Sequence, residues 1–186
     1  SAHPCAHLTV TYTAPKIANV VPPASNYNGE LHVAKIGSPC ELIENSPSQT
    51  FVVEEQDACH WLCQTRFSSA SYKNKRGHAL VIGGAKNYAG AAVLCGNAAI
   101  CTGVGLATIA TPESVHSAIA ARVFPEVMTR SLPETKSGSI SEKAFDEIAE
   151  FISGKIDAVA LGSGLSATES STKKFVKKFQ IILNDF

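Results

Sequence analysis

Two glycine turns and one cysteine–histidine cluster are the places in this chain where residue type and spacing could support chemistry. The first turn is Gly83-Gly84, directly after the apolar run Ala79-Leu80-Val81-Ile82, with Gly90-Ala91 following closely. The second is Gly162-Ser163-Gly164, after Ala158-Val159-Ala160-Leu161. Glycine lets a backbone turn tightly and approach a ligand with no side chain between them. Backbone N–H groups at the start of a following helix suit an anion. Gly84 to Gly90 is not a P-loop, because Ala91-Ala92 stands where Lys and Ser or Thr would have to reach phosphate and magnesium. Nor is it the dinucleotide fingerprint: Gly83-Gly84 lacks the third glycine, and Gly103-x-Gly105 precedes a strand instead of opening a helix. On residue type alone, a ligand-contacting backbone and plain strand-to-helix packing both fit these turns.

The cluster is Cys59-His60 with Cys63. It supplies three ligands with no fourth nearby, and closed zinc sites take four. It reads instead as part of a helix from Glu54 to Arg66 whose Trp61, Leu62 and cysteines pack inward, with no metal. His78, His116 and Asp157 show no catalytic spacing and read as structural. With no nucleophile–base pair and no carboxylate pair, the residue types describe a ligand-binding α/β layer without chemistry of its own.

The elements that would position the turns follow from periodicity. Ala79–Ile82 is a short continuous apolar strand, as expected where both sheet faces are covered. Ala89 to Thr102 reads as a helix whose Gly90, Ala91, Ala92, Gly96, Ala98 and Ala99 let it sit close to a sheet or ligand. Gly103 and Gly105 end it, and Leu106 to Ala110 is a second buried strand. Thr111 is expected to cap a helix from Val115 to Val123, with Pro112 in its first turn. Val127 to Ser131 reads as a short strand. Ser141 to Ile152 reads as a helix with Phe145, Ile148, Ala149 and Ile152 on one face, and Gly154 as its C-cap. Asp157 to Leu161 is a further strand. The last helix carries Phe175, Val176, Phe179, Ile182, Leu183 and Phe186 on one side and Lys173, Lys174, Lys177 and Lys178 on the other, a solvated face. Strands alternating with helices predict a parallel sheet covered on both faces. Before this core, His7 to Tyr12 and Leu31 to Ile36 read as strands, and Cys40 to Gln49 as a linker.

Composition bounds the partners. The 186 residues are 45% hydrophobic and 17% charged, with zero formal net charge. That balance argues against nucleic acid, and no apolar run reaches the length of a membrane span. The six cysteines are spread over a chain that is no small disulfide scaffold, which predicts reduced thiols and a cytoplasmic setting. The chain starts at Ser1 without Met and ends on apolar Phe186, so both ends read as cut.

At this point a resemblance enters. HALVIGGAKNYAGAAVLCGNAAICTGVGLATIATPESV, then PEVMT and later DAVALGSGL, resembles the ADP- or ATP-dependent NAD(P)H-hydrate dehydratases of the ribokinase-like superfamily. Lys73 to Gly77 is similar to that family's Lys-Gly-x-x-Gly approach to the first strand, with Asn74 in place of the first glycine. Upstream, AHLTVTYTAPKIANVVPPASNYNGELHVAKIGSP resembles the last strands of an NAD(P)H-hydrate epimerase domain. The resemblance thus implies an epimerase-like tail over residues 1–45, a linker and helix over 46–72, and the first part of a dehydratase domain over 73–186. The fold implied is α/β, a ribokinase-like three-layer parallel sheet with helices on both faces, incomplete.

The resemblance also implies an activity: phosphorylation of the ring hydroxyl of NADH or NADPH hydrate by ADP or ATP with magnesium, then phosphate loss to restore the cofactor. It carries substrate contact to Ala91 beside Gly90, and to Gly162 and Gly164. Two positions depart from the family pattern, Ser163 where proline is usual and Ser166 where glycine is usual. A side chain at Ser166 is expected to crowd the backbone's approach to substrate. The family's catalytic aspartate lies in a Gly-x-Gly-Asp motif absent from these residues, and Asp185 does not match it. The expectation is therefore no catalytic residue here, no activity by this piece alone, and a homo-oligomer when full length. A small-molecule kinase of the same superfamily and a non-catalytic dinucleotide-binding module are the alternatives.

Overall fold

The computed structural model describes residues 4–48, 50–166 and 168–183. Ser1, Gln49 of the expected linker, Asp185 and Phe186 lie outside them. The chain divides into two compact units, Ser1–Val53 and Glu54–Phe186.

The first unit is built on two short parallel strands, β1 (Leu8–Tyr12) and β2 (Glu30–Ala34), with Leu8 opposite Glu30 and Tyr12 opposite Ala34. A parallel pair needs a crossover; here it contains the one-turn helix α1 (Ile17–Val20) and a 3-10 turn at Ala24–Tyr27. The expected linker is not all loop: Cys40–Glu44 forms a short helix, α2. Pro39 precedes it, where a fixed φ suits a helix start.

The second unit begins with α3 (Glu55–Gln64) and continues through a 3-10 turn at Lys73–Arg76 into a four-stranded, all-parallel sheet. Its strands are β3 (His78–Ile82), β4 (Leu106–Pro112), β5 (Val127–Leu132) and β6 (Ala158–Leu161), in the order β5-β4-β3-β6. The helices between and after them are α4 (Ala89–Cys101), α5 (Glu113–Ala120), α6 (Phe145–Lys155) and α7 (Ser170–Leu183).

Strand alternation divides the apolar residues between two cores. Leu80 and Ile82 point to one face and pack with Ile148, Ile152, Phe175 and Phe179 of α6 and α7. Val81, between them, points to the other face and packs with Ala92 and Val93 of α4, Ile109 of β4, and Val115 and Ile119 of α5. That gives three layers, as the continuous run at Ala79–Ile82 requires. Phe175 and Phe179, four apart on α7, are fully buried and stacked at 5.6 Å; each contributes about 1.5–3 kcal/mol by burial alone. Gly96 lets α4 approach the sheet, since a β-carbon there would collide with Ile109.

Several local expectations are corrected. Thr111 does not cap α5; it is fully buried inside β4, which runs on to Pro112, and the helix starts at Glu113 and ends at Ala120. The Ser114 N–H near that helix start is satisfied instead by Glu134 Oε2 at 3.0 Å. Gly154 is not a C-cap, because α6 continues through it to Lys155. The Lys face of α7 is solvated as expected, with Lys173, Lys174, Lys177 and Lys178 all exposed, and on it Lys178 Nζ reaches Glu142 Oε1 at 2.8 Å. The Trp61 face of α3 is not packed inward: Trp61 is 53% and Leu62 65% exposed, and Cys59 and Cys63 are exposed too. These residues do lie on a helix, but among the described residues none covers that face. No helix among the described residues is long and apolar enough to cross a membrane.

Candidate functional site

The strand order fixes where a ligand would sit. From β3 the chain steps outward through β4 to β5, then returns past β3 to lay β6 on its other side. Open α/β sheets bind ligands outside the carboxyl ends of the strands where the order reverses. Here that is the crevice between the ends of β3 and β6, and the two glycine turns leave the sheet there.

Those turns are hydrogen-bonded to one another. The Gly162 N–H donates to Ile82 O at 3.0 Å, the Gly84 N–H to Ser163 O at 3.1 Å, and the Ala85 N–H to Gly164 O at 2.6 Å. Gly83 has to be a glycine, because a β-carbon there would lie 2.5 Å from Ser163 O. Gly164 is constrained twice. Its φ of +75° is left-handed, and a β-carbon would come within 2.8 Å of Tyr88 O and 3.1 Å of Ala91 Cβ.

The structure therefore brings Ala91 and Gly164 together at the first turn of α4. Gly90 and Gly162 flank them differently. A β-carbon on either would meet nothing within 4 Å, so their backbones face open space. Thus the four residues carried by the resemblance form a wall, tight at Ala91 and Gly164 and open at Gly90 and Gly162. Its surfaces are backbone and methyl groups, which can hold and shape a ligand but cannot transfer a proton.

Two side chains and one backbone hydrogen bond brace this wall, and none was singled out from the sequence for it. Thr111 Oγ1 donates to Gly84 O at 3.1 Å from a fully buried position. A buried hydroxyl at the carboxyl end of an apolar strand was the signal that could have pointed to it. Cys95 Sγ, one turn along α4 from Ala91, lies 3.3 Å from Ser163 Oγ. The Lys86 N–H donates to Gly138 O at 2.9 Å, tying the loop after β3 to the one after β5. Ser166 has φ +58°, the left-handed region that favours glycine, and its Oγ lies 3.1 Å from Thr168 Oγ1.

A cavity of about 970 Å3 opens at the opposite, amino-terminal ends of the strands. Its lining includes His78, Thr108, Asp157, Met128 and Phe151. The polar groups there already serve one another: His78 Nε2 lies 2.7 Å from Thr108 Oγ1, and the His78 N–H donates to Asp157 Oδ2 at 2.8 Å. His78 and Asp157 thus join β3 to β4 and to the start of β6. His116 is on α5 and does not line that cavity. Among the described residues no group of three or more His, Cys, Asp or Glu is placed to hold a metal ion, and Cys59, His60 and Cys63 form no such site.

A family model described as NAD(P)H-hydrate dehydratase matches residues 79–183, the span of the four-stranded sheet. The chain is 35% identical over 184 residues to the bifunctional NAD(P)H-hydrate repair enzyme of Moorella thermoacetica, covering 96% of this chain and 34% of that protein. It is 33% identical over 168 residues to the enzyme of the same name from Thermofilum pendens, covering 90% of this chain and 30% of that one. The chain thus spans about a third of the length of these relatives. Among solved structures, a ribokinase-like superfamily protein from Enterococcus faecalis V583 matches 64% of this chain and 38% of its own at 26% identity, with a TM-score of 0.50. A Streptococcus mutans protein matches 68% of this chain and 41% of its own at 22% identity and a TM-score of 0.51, a likeness of fold.

Proposed function

The chain belongs to the NAD(P)H-hydrate dehydratase family, and from that premise we propose that it forms the substrate wall of an ADP- or ATP-dependent NAD(P)H-hydrate dehydratase. The observation that carries the reading is the junction of Ala91 with Gly164 at the switch point of the sheet. Two turns far apart in sequence are hydrogen-bonded there into one surface of backbone and methyl groups. A hydrated nicotinamide ring carries its hydroxyl on one face and only hydrogens on the other. A small-residue wall accepts the ring closely, and the backbones of Gly90 and Gly162 face the space beside it.

In the proposed reaction the ring hydroxyl is phosphorylated by the nucleotide and phosphate then leaves, restoring NADH or NADPH. This chain's residues contribute binding and orientation, which carry much of a phosphoryl transfer. The general base that takes the hydroxyl proton has no candidate at the wall, and the sequence contains no Gly-x-Gly-Asp. No cluster among the described residues fits magnesium; in this reading the ion arrives with the donor phosphates, as magnesium commonly does. The same reading makes residues 1–45 the tail of an NAD(P)H-hydrate epimerase domain and residues 46–72 a linker and helix. It also makes the full-length protein a cytoplasmic homo-oligomer with small-molecule partners only.

Calorimetry tests the proposal. The chain is expected to bind NADPH hydrate saturably and more tightly than NADPH, and to lose that binding on Ala91→Trp, which fills the wall. ADP with hydrate is expected to give no turnover. Absence of hydrate binding, or equal affinity for NADPH, would sink the reading. A small-molecule kinase would instead respond to its alcohol substrate and not to the hydrate.

A further inference from the structure

We propose that Cys95 is a positioning residue for the substrate wall, acting through Ser163. The proposal rests on the hydrate-binding reading above and deepens it. Ser163 lies between Gly162 and Gly164, and its carbonyl accepts the Gly84 N–H at 3.1 Å. The backbone on either side of it is glycine, the residue with the most conformational freedom to lose. Beyond its three backbone hydrogen bonds to Ile82, Gly84 and Ala85, this glycine–serine–glycine turn has only the Ser163 side chain to restrain it, with no ring at position 163.

The Cys95 thiol is placed to do so. It lies 3.3 Å from Ser163 Oγ, on the α4 turn following Ala91. Cys95 is itself half-buried and packed against the core formed by Val81, Ala92 and Ile109. One end of the contact is therefore fixed by the α4 core, and the other holds the only side chain of the turn. Because Ala91 sits one helical turn before Cys95, α4 sets the position of both sides of the junction. Losing the contact frees the turn to move away from Ala91 without unfolding the sheet.

The test uses Cys95→Ala, Cys95→Ser, Ser163→Ala, Ser163→Pro and the Cys95→Ala/Ser163→Ala double variant, with two readouts. The first is amide hydrogen exchange at Gly84 and Ala85, whose N–H groups bond to the turn. The second is the affinity for NADPH hydrate. Cys95→Ala and Ser163→Ala are each expected to speed exchange and weaken hydrate binding by about fivefold, the worth of one hydrogen bond. The double variant is expected to be no worse than either single one. Cys95→Ser, which puts a hydroxyl in place of the thiol, should recover most of the loss. Ser163→Pro, whose ring restrains the turn, should make Cys95→Ala silent. A purely packing role for Cys95 would not depend on what occupies position 163. Unchanged exchange in Cys95→Ala, or losses that multiply in the double variant, would overturn the proposal. If the wild-type chain binds no hydrate, the functional reading falls, while the exchange data still decide whether Cys95 holds the turn.

Discussion

The Thr111 hydroxyl donates to the Gly84 carbonyl at 3.1 Å, joining the end of β4 to the first glycine turn from a position with no exposed surface. This contact fixes the β3 turn in the same way that the Gly84 and Ala85 N–H groups fix the β6 turn. Both sides of the proposed substrate wall are thus held from behind.

Thr111→Val tests that contact with little change of shape. It leaves the Gly84 carbonyl facing a methyl group, at a cost of about 1–3 kcal/mol for an unmet buried acceptor. Urea unfolding should show a lower midpoint with an unchanged slope. An unchanged midpoint would mean that water or another donor serves Gly84.

Gly164→Ala places a β-carbon against Tyr88 O and Ala91 Cβ in a left-handed backbone. The conformational penalty alone is about 1–2 kcal/mol, and the wall must widen to admit the methyl group. Hydrate affinity is expected to fall by more than the thermal stability does. Gly90→Ala is the control, since its methyl group would project into open space; it should leave stability within about 1 kcal/mol, the helix-propensity gain. Equal loss of thermal stability in the two variants would contradict the close packing of Gly164 against Tyr88 and Ala91.

Arg76 holds the end of α3. Its guanidinium donates to Thr65 O at 2.6 Å and to Gly103 O at 2.6 Å, and lies 3.9 Å over the Phe67 ring. Arg76→Ala is expected to speed proteolysis between Gln64 and Ser71 while leaving the unfolding of the sheet within about 1 kcal/mol, because α3 buries no residue. Unchanged cleavage in limited proteolysis would show that α3 is anchored elsewhere.

Glu142 and Lys178 tie the start of α6 to α7. The hydrogen bond from Lys178 holds the Glu142 carboxyl below its usual range, and the same bond raises the Lys178 ammonium. A lowered carboxylate contributes stability above its unfolded pKa and loses it as pH falls through the folded one. A raised ammonium contributes below its unfolded pKa and loses it as pH rises through the folded one. The pair is therefore intact near neutrality and lost at both extremes. Both side chains are solvent-accessible, so the effect is a small slope on each flank. Glu142→Gln should flatten both flanks in thermal melts run across pH. Unaltered flanks would show that the pair adds nothing.

The sheet was legible because its signals are local. Leu80, Val81 and Ile82 in succession require cover on both faces, and glycine at 83–84 and 162–164 marks where those strands stop. Other features depended on partners that a linear reading cannot supply. Thr111-Pro112 has the composition of a helix cap, yet β4 extends to Pro112 because its pairing with β5 continues to Leu132. Trp61 and Leu62 read as a buried face, but both stay exposed among the described residues. Ser166 could be read only as a departure from a glycine pattern; the φ of +58° shows why glycine suits the position. The bracing of the wall by Thr111 and Cys95 spans 27 and 68 residues of sequence separation, and no motif records either contact.

Backbone amide shift mapping distinguishes a ligand at the carboxyl ends of β3 and β6 from one at the opposite ends of the strands. On titration with NADPH hydrate, saturable shifts are expected at Gly90, Ala91, Gly162 and Gly164, with His78, Thr108 and Asp157 unmoved. Shifts centred on the cavity around His78 instead, or none at the glycine turns under saturating hydrate, would contradict a ligand at the carboxyl ends.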